Sequence, residues 1–282
     1  MQIGDETSLE PNAFEPYSVL MSVYEKEEPL FLRQSVESMF AQSVLPEQFV
    51  LVIDGPVPEA LESEINVLCE RFDITLCPLS QNVGLGKALN AGLSVCRNEI
   101  VARMDSDDIA FPDRIEMQLE LMQRENADIV SAVVAEFEQS TDRVTAARLV
   151  PETHDEIMKY VRKRNPFNHP AVVYKKSVVE SVGGYQDYPL FEDYELFARA
   201  LANGAVGANV QQPLVYMRAG SGMYDRRGGR EYAKKILRFY KRLRQLSLCG
   251  FKENITCVLP RAAVALAPAP VRRFVYKIFL RH

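Results

Sequence analysis

Four short apolar runs, each followed by a polar break and then a helical stretch, constrain the fold more than any other feature. Tyr17–Tyr24 (YSVLMSVY), Phe49–Gly55 (FVLVIDG), Ile74–Leu79 and Ile100–Met104 are apolar and β-branched with little alternation. That is the pattern of strands buried on both faces. After the first run, Pro29 opens a helix whose Leu32, Val36, Met39 and Phe40 recur at helical spacing. Glu59–Phe72 and Pro112–Asn126 repeat that pattern, Asn82–Gly92 leads from a glycine-rich turn into a helix, and Asp128–Phe137 is a fifth strand. Strands alternating with helices predict an α/β fold with a parallel, doubly wound sheet over about 1–140. Its ligand would sit beyond the carboxyl ends of the strands.

Acids gather at those ends. Glu25 and Asp54 follow the first two strands, and the fourth runs straight into Asp105, Asp107 and Asp108 within EIVARMDSDDIAFPDR (Glu99–Arg114). Clustered carboxylates call for a cation, and oxygen ligands favour magnesium, manganese or calcium. An acidic surface turn capping the next helix is the plainer alternative. In NVGLGKALNAG (Asn82–Gly92), Gly84, Gly86 and Lys87 at a helix start suit a phosphate. The stretch is neither GxxxxGKS nor GxGxxG, and a helix-capping turn accounts for its glycines equally well.

Five scattered cysteines, none in a CxxC pair, speak for reduced thiols and a cytosolic chain and against a zinc site. No basic region followed by an apolar stretch opens the chain, so no secretory signal is expected. The net charge of −5 conceals two parts. Residues 218–282 hold 16 Lys/Arg and 3 Asp/Glu, whereas the preceding 217 residues hold 17 and 35. Gly229–Leu248 is a basic helix with Ile236, Phe239, Tyr240, Leu243 and Leu246 on its apolar side. The terminal segment mixes apolar runs with arginines, and its longest charge-free stretch, Ala262–Val271, is 10 residues with two prolines, too short to span a bilayer. The expectation is an interfacial segment on an anionic membrane surface; a helix packed on the body is the alternative. No stacking platform or recognition motif points to nucleic acid.

Taken in order, SVLMSVYE (Ser18–Glu25), LVIDG (Leu51–Gly55), NVGLGKALNAG, ARMDSDDIAFPDR (Ala102–Arg114), NHPAVVYKKSVVESVGGY (Asn168–Tyr185), FEDYELFARA (Phe191–Ala200) and LVYMRAGSG (Leu214–Gly222) resemble the family-2 glycosyltransferases. The flavour is that of bacterial enzymes building exopolysaccharide, capsule or O-antigen units. The resemblance implies a GT-A catalytic domain over 17–222, with a Rossmann-like nucleotide-binding half (17–140) and a smaller acceptor half (141–222), followed by a basic helical segment (223–282).

It also implies the roles of residues. Tyr24, Glu25 and Asp54 hold the uracil and ribose of a UDP-sugar, and Asn82, Gly86, Lys87 and Ser106 contact the nucleotide sugar. Asp107, with Asp105 secondary, binds Mn2+ or Mg2+, while Asp105 lies nearer the ribose or sugar. Asp108 caps the turn or touches the sugar. Asp193, of the Glu192-Asp193 pair at a helix start, is the base. Arg218 to Ser221 fall where the family has a loop closing over the diphosphate. Asn168, His169 and Glu192 lie on the acceptor side, and His169 is equally readable as a structural histidine.

The activity so implied is inverting transfer of one sugar to a saccharide or polyprenyl-diphosphate-linked saccharide, on the inner face of the cytoplasmic membrane. The chain has no tryptophan and so lacks the QxxRW element of the processive synthases, which points to a single addition per encounter. A sugar-nucleotide nucleotidyltransferase is disfavoured because the acidic Tyr24–Glu28 stands where such enzymes carry a glycine-rich basic loop. A catalytically silent binding subunit is disfavoured by the intact acidic motifs.

Overall fold

The computed structural model describes residues 14–219 and 228–267. A nine-stranded mixed sheet forms its centre. Strands β1 (Tyr17–Val23), β2 (Gln48–Ile53), β3 (Ile74–Pro78) and β4 (Ile100–Asp105) run parallel in the order β3-β2-β1-β4. They are joined by helices α1 (Pro29–Phe40), α2 (Glu59–Arg71) and α3 (Leu85–Val95). Successive side chains of a strand face opposite ways. Leu20 of β1 therefore joins one core with Leu89 and Leu93 of α3, while Tyr17, Val19, Met21 and Val23 join another with α1 and α2. Both faces being covered is why this run shows no polar alternation.

Beyond β4 the sheet becomes mixed, although β6 keeps the direction of the first four strands. Strand β6 (Ile129–Phe137) does not lie beside β4, because β8 (Val173–Lys175) inserts between them, antiparallel to both. Strand β9 (Gly207–Arg218) then pairs parallel with β6, β5 (Ile109–Ala110) pairs antiparallel with β9, and β7 (Val144–Arg148) pairs antiparallel with β6. Hydrophobic periodicity carries no strand direction, and a three-residue strand leaves almost no pattern. The sheet thus continues unbroken across the 140/141 division.

Of the remaining helices, α4 (Arg114–Arg124) packs on β6 and β9, and α5 (His154–Tyr160) starts at a Thr153/Glu156 capping box. Short α6 (Lys176–Ser181) precedes α7 (Glu192–Ala202), α8 (Gly229–Gln245) and α9 (Phe251–Leu266). Helix α8 is packed on the body. Its Ala233, Ile236, Phe239, Tyr240 and Leu243 are buried, and Phe239 stacks on Phe191 with ring centres 4.7 Å apart. Arg242 of α8 donates to the fully buried Glu195 of α7 at 3.0 Å, and Glu195 also holds Arg199. Removing one partner of such a buried pair costs about 3–5 kcal/mol. Residues 1–13, the expected closing loop at Ser221 and the terminal basic residues from 268 onward lie outside the described residues.

Candidate active site

The acids of the motif EIVARMDSDDIAFPDR end β4 and form the turn into β5. Helix α1 pins that turn: Ser35 Oγ donates to the Asp105 carbonyl at 2.7 Å, and the Ala110 N–H donates to Ser38 Oγ at 3.0 Å. Buried Arg103 forms a two-pronged ion pair with Asp105. Buried Asp108 accepts the Arg218 N–H at 2.8 Å through Oδ1, and its buried Oδ2 has no partner among the described residues. The turn thus tethers β9, neither capping the helix before Pro112 nor lining the cleft. Asp107 is pushed up to about 7 by burial and by the charges of Asp105 and Glu27.

A divalent cation fits the site. One oxygen from each of Asp105, Asp107 and Asp108 lies within 4.8 Å of the others. Ligand oxygens about 2.1–2.6 Å from an ion stand up to roughly 4–5 Å apart across it. Carboxylates are the hard donors magnesium and manganese favour, and burial together with the charges of Asp105 and Asp107 raises the Asp108 carboxyl well above its ordinary value, which a cation would relieve.

Asp105 and Asp107 open onto a cleft of about 530 Å³, which is also lined by Ser22, Tyr24, Lys26, Glu27, Asp54, Asn82, Gly84, Leu85, Ser106 and Glu192. That is the size class of cavities that take small-molecule ligands. The cleft sits where β1, β2 and β4 end, as a parallel sheet dictates. Of the residues expected on the nucleotide, it gathers Tyr24, Asp54, Asn82, Asp105 and Ser106. Ser106 Oγ is hydrogen-bonded to Glu27.

Four expectations change. Glu25 is exposed and not part of the lining, whereas Lys26 and Glu27 are; the turn after β1 faces its later residues inward. The Val83 and Gly84 N–H groups, expected to be open to a phosphate, donate to Asp54 at 2.7 and 3.1 Å. Asp54 therefore caps α3, where a carboxylate complements the helix dipole, and Gly55 (φ +86°) lets Asn82 approach; a Cβ there would stand 2.4 Å from the Asn82 nitrogen. Gly86 lies against Tyr185 and Glu192, and Lys87 is exposed outside the cleft. Arg218 is not in the cleft either: its guanidinium lies 3.7 Å from the Phe31 ring centre and donates to the Asp107 carbonyl and to Gln34.

Adjacent residues at a helix start point about 100° apart. Glu192 and Asp193 accordingly face two cavities. Glu192, expected on the acceptor side, lines the acidic cleft; its carboxyl is raised by burial and then by Asp193, and its buried Oε2 has no partner among the described residues. Asp193 faces a second cavity of about 290 Å³, lined in part by Asn165, Asn168, His169, Phe191, Tyr194 and Tyr232. Asn165 Nδ2 donates to Asp193 Oδ2 at 2.8 Å.

In the same cavity, the Asn168 amide donates to the Ala132 and Arg148 carbonyls, each at 2.9 Å, and so ties β6 to β7. His169 Nε2 is 2.9 Å from the Tyr185 hydroxyl, and burial first, then Arg103, holds its pKa well below the usual value. It is thus partnered by Tyr185 while lining the cavity that Asp193 faces. Lys26, Glu27 and Asn165 went unread in the sequence: the first two flank an assigned glutamate, and Asn165 stands alone before a proline.

A sequence model described as glycosyl transferase family 2 matches residues 18–183. The amylovoran biosynthesis glycosyltransferase AmsE of Erwinia amylovora is 38% identical over 93% of this chain and 98% of its own. An Escherichia coli UDP-Gal:alpha-D-GlcNAc-diphosphoundecaprenol beta-1,3-galactosyltransferase is 38% identical over 94% of this chain and 96% of its own. Among solved structures, S. aureus TarS 1-349 in complex with UDP-GlcNAc superposes with a TM-score of 0.67 at 14% identity, over 94% of this chain and 76% of that one. Mannosyltransferase PcManGT from Pyrobaculum calidifontis, in complex with GDP-Man and Mn2+, gives 0.63 at 14% identity, over 94% and 80%.

Proposed function

The chain belongs to glycosyl transferase family 2, and from that premise we propose that it adds one sugar, with inversion and with a divalent cation, from a UDP-sugar to a lipid-diphosphate-linked saccharide in surface polysaccharide synthesis. The observation that carries this reading is the pair of cavities meeting at Glu192 and Asp193. The donor and acceptor of the E. coli relative's named reaction supply the substrate classes.

In this reading Tyr24 receives the uracil, Asn82 and Ser106 the nucleotide sugar, and Glu192 a hydroxyl of the donor sugar. Asp105 and Asp107 hold Mn2+ or Mg2+, which supplies positive charge for the departing diphosphate. A sugar hydroxyl is a weak nucleophile, so its proton must leave as the new bond forms. Asp193 takes that proton. Its place in the first turn of α7 sets it beside the positive end of the helix dipole, and Asn165 orients it. The acceptor oxygen bonds the anomeric carbon as the carbon–phosphate oxygen bond breaks on the opposite face, which inverts the configuration. No acid is needed for the leaving group, unlike in a glycoside hydrolase.

No helix among the described residues is long and apolar enough to cross a membrane. We place the enzyme at the inner face of the cytoplasmic membrane, because α9 exposes Phe251, Ile255, Leu259 and Leu266 at helical spacing beside the basic α8. Leu259→Asp should release the protein from sedimenting anionic vesicles; unchanged sedimentation would remove this part of the proposal. The central test is a thermal-shift screen of UDP-, GDP- and dTDP-sugars with and without manganese, followed by transfer to a lipid-diphosphate sugar. Stabilisation by a UDP-sugar only with the cation, and release of UDP on transfer, are the expected results. The absence of both responses would overturn the donor assignment.

A further inference from the structure

One charged residue interrupts the apolar run of β4. Side chains two apart on a strand share a face, so Val101, Arg103 and Asp105 lie on one side of the sheet. Leu20 of β1 stands in register with Arg103, and Leu20 and Val101 both belong to the core that α3 covers. The Arg103 side chain is 2% exposed. A full positive charge is therefore buried among apolar neighbours, two residues before a carboxylate that lines the cleft.

The backbone around it is pinned. The Arg103 N–H donates to the Val172 carbonyl at 2.9 Å, and the Arg103 carbonyl accepts from Nη2 of buried Arg114 at 2.7 Å. Ser35 holds the Asp105 carbonyl in the same way. On this fixed frame the guanidinium meets Asp105 with both arms: Nη1 donates to Oδ2 at 2.7 Å, and Nη2 donates to Oδ1. The buried Nε has no partner among the described residues. The fork is committed to one carboxylate.

Stability alone does not account for the pair, because well-packed apolar side chains in place of a buried ion pair are often as stable. What the fork supplies is a fixed carboxylate plane, which a single ammonium donor would leave free to turn. An ionised carboxylate has about four acceptor sites. The fork takes two of them, and the Asp105 side chain is still 33% exposed. The remaining sites are open to a ligand, in an orientation that Arg103 sets.

We propose that Arg103 is a positioning residue for donor binding: it holds the plane of Asp105, and through it the affinity for a nucleotide diphosphate with its divalent cation. This rests on the donor reading of the cleft and adds to it a residue outside the lining.

Calorimetry of UDP with manganese on the full chain, with melting temperatures of the same samples, would compare Arg103→Lys, Arg103→Met, Asp105→Asn and the double variant Arg103→Met/Asp105→Asn. Arg103→Lys keeps the charge and loses the fork. It should weaken UDP binding about tenfold, the lower end of what loss of such an orienting partner costs. In transfer assays that loss should fall on the donor KM, with kcat little changed. Asp105→Asn should weaken binding at least as much. The double variant should bind no more weakly than Asp105→Asn, because Arg103 then has no carboxylate to orient. Parental affinity in Arg103→Lys, whatever its melting temperature, would overturn the proposal, as would single-variant losses that simply add in the double one. If a single removal leaves a charge the fold does not tolerate, Arg103→Lys decides alone, and the double variant reports the Asp105 loss. The donor reading is tested separately. Parental affinity in Asp105→Asn removes Asp105 from the donor site and this inference with it, whereas a loss there with Arg103→Lys unaffected removes only the inference.

Discussion

The cleft of Asp105 and the cavity of Asp193 share a wall of two consecutive residues yet are built in opposite ways. The first is acidic and made from the ends of parallel strands, with Tyr24 after β1, Asp54 after β2 and Asp105 closing β4. The second is rich in arginine and aromatic rings and is assembled from β7, the segment after α5, the start of α7, α8 and α9. Under the proposed function the difference is a division of labour: the regular half of the fold would hold what every donor shares, and the irregular half what distinguishes an acceptor.

If that division is real, each cavity can be disabled without the other. The largest effect should come from Asp193→Asn, which keeps the shape and an acceptor for the Asn165 hydrogen bond but removes the base. Transfer should fall by about 10²–10⁴-fold, with UDP affinity unchanged by calorimetry. An active Asp193→Asn enzyme would sink the base assignment, and lost UDP binding would show the cavities to be one site. Asp107→Ala should act the other way. Manganese-dependent UDP binding should disappear and transfer drop about a hundredfold or more, while binding of a decyl-diphosphate sugar persists. Full activity in the presence of a chelator would remove the cation from the reaction.

The same contrast decides what the sequence discloses. The donor cleft is legible because a parallel sheet brings strand ends together whatever their separation in the chain, so an acid after each apolar run becomes an acid in one cleft. Direction beyond β4 is not legible, since Val173–Lys175 is too short to announce that it separates β4 from β6. The acceptor cavity is hidden for a related reason. Arg148, Arg164 and Arg261 have no common spacing, and only tertiary packing of α8 and α9 brings the last of them into place. Even inside the legible motifs, side-chain roles moved by a residue or two. The turn after β1 presents Glu27 and not Glu25, and the helix start separates Glu192 from Asp193. A motif locates backbone; which neighbour faces the ligand depends on turn geometry that the pattern leaves open.

Smaller effects test the donor cleft from within. Tyr24 is 40% exposed at the rim of the cleft, where its ring can cover a uracil. Stacking of a base on an aromatic ring is worth about 1–3 kcal/mol, so Tyr24→Ala should raise the donor KM about tenfold with little change in kcat. Tyr24→Phe should stay near the parent. A kcat loss at constant KM would move Tyr24 from the base to the reacting sugar.

The smallest effect is expected at Lys87, and it is the sharpest test of where the cleft ends. Its neighbour Gly86 is packed against Tyr185 and Glu192, which fixes the first turn of α3, and the lysine is exposed outside the lining while Lys26 is within it. A cation in bulk water contributes little to a ligand beyond about a Debye length, roughly 8 Å at physiological salt. Lys87→Ala should therefore change donor KM by less than about twofold, whereas Lys26→Ala should raise it several-fold and make it less sensitive to salt. A large loss at Lys87 would mean that α3 turns toward the diphosphate when donor binds. That movement would have to break the Asp54 bonds to the Val83 and Gly84 amides, and amide hydrogen exchange at those two residues would report it directly.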